Sequence, residues 1–142
     1  MTPEDVEVFF EHQRDEESNR MAAFPAHEHD AHVAHWRKII ADDACVTKTV
    51  VCGGRVAGNM LSWHDGTRRL VGYWIDKRLW GRGIATAALA ELLTLVRERP
   101  LHAYVAAHNA GSIRVLEKCG FRRISEEQGH DGIVDVLMEL AR

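Results

Sequence analysis

The stretch Tyr73-Trp74-Ile75-Asp76-Lys77-Arg78-Leu79-Trp80-Gly81-Arg82-Gly83-Ile84-Ala85-Thr86 decides the fold. A run of strand character ends near Asp76, two glycines strip the backbone of side chains, and a helix begins at once. Such a turn aims several unpaired N–H groups at one point, and the positive end of the helix dipole stands behind them. This is an anion site suited to a pyrophosphate. Gly81 and Gly83 permit close approach of phosphates, and Arg78 and Arg82 add charge.

Three classes of coenzyme use a turn of this kind. A nucleotide-triphosphate loop needs Lys followed by Ser or Thr, where Ile84-Ala85 stand. A dinucleotide fold needs glycine at the place of Thr86 and an acid after the next strand, where Ala106-Ala107-His108 stand. Both patterns fail.

Outward from the loop, the chain reads α-α-β-β-β-α-β-α-β-β. The spacing predicts a short helix over Glu4–Glu11, with Pro3 in its first turn, then a loop around Met21–Pro25 and a helix over Asp30–Ile40. Ala44–Cys52 alternates as a strand, Gly53-Gly54 turns it into Arg55–Trp63, and Asp65-Gly66 turns it again into Arg69–Asp76. The helix after the loop spans Ile84–Arg97, with Ile84, Ala88, Leu92 and Leu95 as its buried stripe. Leu101–Ala106 returns as a strand parallel to Arg69–Asp76, because a helical crossover joins the two. Asn109 caps a helix reaching about Cys119, stopped by Gly120. Strands near Phe121–Ser125 and Ile133–Leu140 pair across the Gly129–Gly132 turn.

Arg78-x-x-Gly81-x-Gly83 resembles the coenzyme A signature of the GNAT superfamily of N-acetyltransferases. The strand that follows, with Asn109-Ala110-Gly111-Ser112-Ile113-Arg114-Val115-Leu116-Glu117-Lys118-Cys119-Gly120-Phe121, resembles its second motif. In wording, Tyr-Trp-Ile before the loop and Asn-x-x-Ser after it are most similar to the ribosomal-protein N-terminal acetyltransferase branch. The resemblance covers about residues 44–140, and the N-terminal helices more loosely. It implies an α+β fold with a mixed, mostly antiparallel sheet, one parallel splayed strand pair and helices on both faces. It also implies that the family's first strand is missing, since only Met1 and Thr2 precede Pro3, which leaves the outer strand of the meander as an open edge. A homodimer formed through that edge is one consequence.

The same resemblance implies acetyl transfer from acetyl-CoA to a primary amine by direct attack, with no metal. Coenzyme contacts are then expected at Trp74, Ile75, Arg78, Leu79, Trp80, Gly81, Arg82, Gly83, Ile84, Ala85, Thr86, Asn109 and Ser112. Many relatives carry a tyrosine acid seven residues after the asparagine, where this chain has Leu116. Candidates for the proton donor to the leaving thiolate are Ser112, placed first, Tyr104, and a bound water. The absent tyrosine also motivates the alternative of a non-catalytic acyl-CoA-binding or regulatory module. A third reading is an interaction protein whose missing strand a partner supplies.

Composition frames these readings. The 142 residues suit a single domain, 46% are hydrophobic and 27% charged, and the net charge is −3. No apolar run of membrane-spanning length occurs and no basic leader opens the chain, which points to a cytoplasmic protein. Cys45, Cys52 and Cys119 offer neither a disulfide framework nor a thiolate zinc spacing. The charge is uneven: residues 1–43 carry a net −7 and the remainder +4. A basic part suits a polyanionic coenzyme and an acidic part a cationic acceptor, although most such charges serve only as solvated helix faces. His27, His29, His32 and His35 match no familiar metal spacing. Trp36 and Trp63 read as core or pocket wall, since no basic stripe for nucleic acid accompanies them. Cys119 reads as small apolar packing.

Overall fold

The computed structural model describes residues 1–22, 28–129 and 132–142. Three N-terminal helices, α1 (Pro3–Gln13), α2 (Glu16–Ala22) and α3 (His29–Ala41), precede the meander β1 (Val46–Cys52), β2 (Arg55–Asp65) and β3 (Arg68–Ile75). After a 3-10 turn at Lys77–Leu79 come α4 (Ile84–Leu95), β4 (Leu101–Ala106), α5 (Ala110–Lys118), β5 (Arg122–Gln128) and β6 (Val134–Leu140). The six strands lie in one mixed sheet in the order β1-β2-β3-β4-β6-β5. Among the described strands, only the neighbours β3 and β4 pair in parallel. The α+β architecture expected from the motifs is the one observed, with β1 at the sheet's edge.

Local chemistry accounts for the elements. Thr2 and Asp5 form a reciprocal capping box at the start of α1, with Pro3 inside it. Gly53 and Gly54 have φ of 60° and 78°, the two left-handed residues of a tight hairpin between β1 and β2. Alternation along the strands divides the sheet into two faces. One face buries Met60, Val71, Leu101, Ala103, Val105 and Met138 against Leu89 and Leu92 of α4, Val96 at its C-cap, and Ile113 and Leu116 of α5. On the other, Val6 and Phe9 of α1 and Trp36 of α3 pack over Val56 and Leu61.

Two expectations need correction. Glu16–Ala22 is helical, where a loop containing Met21 and Ala22 was expected. The Asp15 carboxylate accepts hydrogen bonds from the Ser18 backbone N–H (2.8 Å) and hydroxyl (2.7 Å), capping a helix too short to show periodicity. Ala23-Phe24-Pro25 lies outside the described residues. On α4 the face against the sheet is Leu89 and Leu92, continued by Val96 at the C-cap, whereas Leu95 is 58% exposed. The helix is rotated from the expected stripe because Leu89, at 0% exposure, takes the central place in the core. No helix among the described residues is long and apolar enough to cross a membrane.

Candidate coenzyme site

The site begins where two neighbouring strands stop pairing. Between β3 and β4 the ladder holds only Arg69 with Leu101 and Leu70 with His102. Beyond these pairs β3 stays on β2 as far as Ile75, paired to Gly58, and β4 stays on β6 as far as Ala106, paired to Asp135. The strands therefore diverge, and their facing backbone groups are left for another partner. A cleft of about 660 Å³ opens there, floored by Tyr73, Trp74 and Ile75 and walled by α5, the phosphate-type loop and α2.

The loop closes one end of the cleft. Gly83 is the N-cap of α4 with φ of 76°, and no side chain caps the helix, so its first N–H groups face outward. The Trp80 indole N–H donates to the Ile75 carbonyl at 2.9 Å and fastens the loop to the end of β3. Asn109 caps α5, its side-chain oxygen accepting from the Ser112 N–H at 3.2 Å.

Every expected coenzyme residue lines the cleft except Arg78 and Arg82. The Arg78 guanidinium is turned onto Asp76, which accepts from its Nη2 at 2.7 Å and from its Nε at 3.1 Å. Arg82 is exposed beside the loop. Positive charge comes instead from Arg114 and Lys118, which line the opposite wall one turn apart on α5. Their i, i+4 spacing was readable, but which face of α5 met the cleft was not. Ser18, Met21 and Ala22 of the unforeseen α2 also line it.

Ser112 and Tyr104 part company. Ser112 lines the cleft. Tyr104 is absent from its lining; it is 38% exposed, opposite Leu137 of β6, and its hydroxyl accepts from Arg68 Nη1 at 2.9 Å. The cause is strand alternation: Leu101, Ala103 and Val105 take the face under α4 and α5, which puts Tyr104 on the other with His102. Leu116 is buried at 1% exposure and offers no donor. Tyr73, which the sequence offers only as strand and as part of the motif wording before the loop, reaches the cleft instead, with its hydroxyl 2.5 Å from the Ser112 Oγ. The signal was the alternation of β3, which puts Tyr73 on the same face as Val71.

The remaining singled-out residues have local partners. His29 Nε2 lies 2.8 Å from a Glu7 oxygen, the His32 ring meets the Val6 carbonyl at 3.0 Å, and the His35 ring meets that of Trp36 edge-on. His27 lies outside the described residues, and no metal-binding group of three or more donors occurs among those described. Trp36 is core, Trp63 covers Gly72, and the Cys119 thiol donates to the Thr86 carbonyl.

Beneath the loop, His12 of α1 is 8% exposed with Nε2 3.6 Å from an Asp76 oxygen. Burial pushes its pKa below the ordinary imidazole value, with Asp76 opposing and Arg78 assisting. The hydrogen bond from Arg78 likewise holds Asp76 below the carboxylate range. Lowered folded-state values mean that the unfolded chain binds protons first, so the His12 share of stability is present above pH ~6.5 and lost as pH falls, whereas the Asp76 share is lost only below pH ~4. The urea midpoint of the wild-type protein is expected to drop between pH 7 and 5 more steeply than that of His12→Gln. Equal slopes would remove His12 from the explanation.

Comparison with known proteins agrees with this geometry. A family model described as "Acetyltransferase (GNAT) domain" matches residues 1–122. YdaF of Bacillus subtilis (strain 168), named as a candidate ribosomal N-acetyltransferase, is 30% identical over 109 residues, covering 71% of this chain and 58% of that protein. The chain thus spans a little over half the length of that relative. Among solved structures, a spermidine N-acetyltransferase from Vibrio cholerae in complex with CoA and spermine superposes with a TM-score of 0.83 at 14% identity, covering 99% of this chain and 92% of that one. An aminoglycoside acetyltransferase in complex with coenzyme A superposes with a TM-score of 0.80 at 20% identity, covering 100% and 92%. At such identities the likeness carries the fold alone. With the family model spanning most of the chain and the splayed strands and glycine loop in place, the protein belongs to the GNAT acetyltransferase family.

Proposed function

We propose that these residues form one acyltransferase domain, which transfers an acetyl group from acetyl-CoA to a primary amine by direct attack within a ternary complex. One observation carries this reading: the splay between β3 and β4 opens directly onto the uncapped N-terminus of α4. Pantetheine would pair with backbone at Trp74 and Ile75. The pyrophosphate would meet the N–H groups from Gly81 to Thr86, with Arg114 and Lys118 across the cleft supplying charge. A backbone N–H at the splay would receive the developing oxyanion, and Ser112 would donate to the leaving sulfur. Asn109 would hold the pantetheine while capping α5.

The −7 charge of residues 1–43 supports a cationic acceptor, and two structural neighbours are named for amines of that kind. The test is incubation with acetyl-CoA and a panel of spermine, an aminoglycoside and a peptide with a free N-terminus, scored by acceptor mass and released thiol. Acetylation of one class with stoichiometric thiol release is expected. Binding without transfer to any amine would favour a non-catalytic module, the reading that buried Leu116 supports.

For assembly, the reading is a homodimer through the edge strand β1. Val51 there is 61% exposed, and a groove of about 350 Å³ runs between β1 and α4, lined in part by Lys48, Glu91 and Leu95. Opposite charges beside apolar residues suit pairing with a second copy of the same edge. Sedimentation should give a dimer mass that falls on dilution, and a constant monomer mass would refute it. The free thiols Cys45, Cys52 and Cys119 support a reducing, cytoplasmic setting.

A further inference from the structure

The proposed reaction breaks a carbon–sulfur bond, and Ser112 is a weak acid to place alone beside a forming thiolate. We propose that Tyr73 is the positioning residue that makes Ser112 a competent hydrogen-bond donor to the coenzyme sulfur. The inference rests on the acetyl-transfer reading above. It comes from the placement of Tyr73, three residues past Leu70, the last residue of β3 paired to β4, and so inside the splay. Its ring crosses toward α5, and its hydroxyl stands 2.5 Å from Ser112 Oγ and 3.3 Å from the Ser112 carbonyl oxygen. Both groups line the cleft.

A tyrosine has one proton to give. When it goes to Ser112 Oγ, one of that oxygen's two acceptor sites is taken, and the serine's own proton, no longer directed at the tyrosine, is left to point into the cleft. The serine O–H is thereby polarised and fixed in direction, which a freely rotating hydroxyl is not. Burial raises the Tyr73 pKa to about 12, so the phenol stays protonated throughout the working range. Cys119 is the titratable neighbour that acts on it, and burial raises that thiol as well.

In the reaction, the amine lone pair forms the new carbon–nitrogen bond, and the carbon–sulfur pair leaves on sulfur as thiolate. Ser112 shares its proton with that sulfur while Tyr73 shares its own with Ser112. The proton lost by the attacking amine, passed through water, finally neutralises the thiolate. No other reactant is needed.

The test does not depend on turnover. Ionisation of the thiol of bound coenzyme A is followed by thiolate absorbance across pH, as the difference between loaded and free protein, which cancels Cys45, Cys52 and Cys119. Ser112→Ala should make the bound thiol roughly tenfold harder to ionise, and Tyr73→Phe, which keeps the ring, nearly as much. The double variant should match Ser112→Ala, because Tyr73 acts only through Ser112. With an acceptor in hand, Tyr73→Phe should lower kcat about tenfold at unchanged KM for acetyl-CoA. An unchanged thiol titration in Tyr73→Phe overturns the proposal, and so do effects that multiply in the double variant. A folded wild-type protein that binds no coenzyme A overturns the acetyl-transfer reading itself, a failure that calorimetry distinguishes from the other two.

Discussion

Gly83→Val is expected to reduce affinity for acetyl-CoA by at least ~100-fold while leaving a folded protein. Two effects combine. Gly83 sits at φ of 76°, where a residue with a Cβ costs about 1–2 kcal/mol, and more when β-branched. The larger effect is on the ligand. A Cβ at Gly83 meets no protein atom within 4 Å, so the new side chain occupies the open space beside the first N–H groups of α4. That is where a pyrophosphate would sit. Gly83→Ala separates the two, since it carries the backbone cost with less bulk and should lose affinity less. Calorimetry and a thermal melt on both variants decide it. Near wild-type binding in Gly83→Val would mean that the phosphates lie elsewhere.

The largest effect on stability is expected at Gly58→Ala. Gly58 pairs with Ile75 at the end of the β2–β3 ladder, and a Cβ there would lie 2.0 Å from the Trp74 carbonyl oxygen. Backbone cannot yield as a side-chain tip can, so β3 must move away from β2. Overpacking of this kind costs on the order of 3 kcal/mol. For a chain of this size that is roughly 6–12 °C in melting temperature. The displaced segment is also the floor of the cleft, so coenzyme affinity should fall together with stability. A variant melting within about 2 °C of wild type would show that the β2–β3 contact is looser than this geometry requires.

How much of this was legible in the residues varied with the kind of signal. Turn chemistry was plain: Gly53-Gly54, the Gly81–Gly83 loop and the Asn109 cap all stand where local backbone rules place them. The parallel return of Leu101–Ala106 followed from the handed crossover, and its pairing at only two positions agrees with the splay implied by the family resemblance. Facing was harder. Leu95 and Leu89 are both leucines on one helix, and only the packed sheet distinguishes the exposed one from the buried one. Tyr104 and Tyr73 pose the same problem on strands, where a shift of one residue exchanges the faces. Arg78 turns onto Asp76, two residues away, a local ion pair that the spacing of the loop did not signal. Lys77 is likewise engaged by Asp15, just before α2, and by Glu17 of α2, a helix the pattern did not reveal.

Titration of the wild-type protein with acetyl-CoA in a calorimeter tests the coenzyme site most directly. Backbone donors of the loop, the α4 N-terminus, and Arg114 and Lys118 converge on one cleft, which predicts saturable one-to-one binding with a micromolar Kd, about −8 kcal/mol. A folded protein that gives no binding heat at several temperatures, and no shift in melting temperature with acetyl-CoA in large excess, would contradict it.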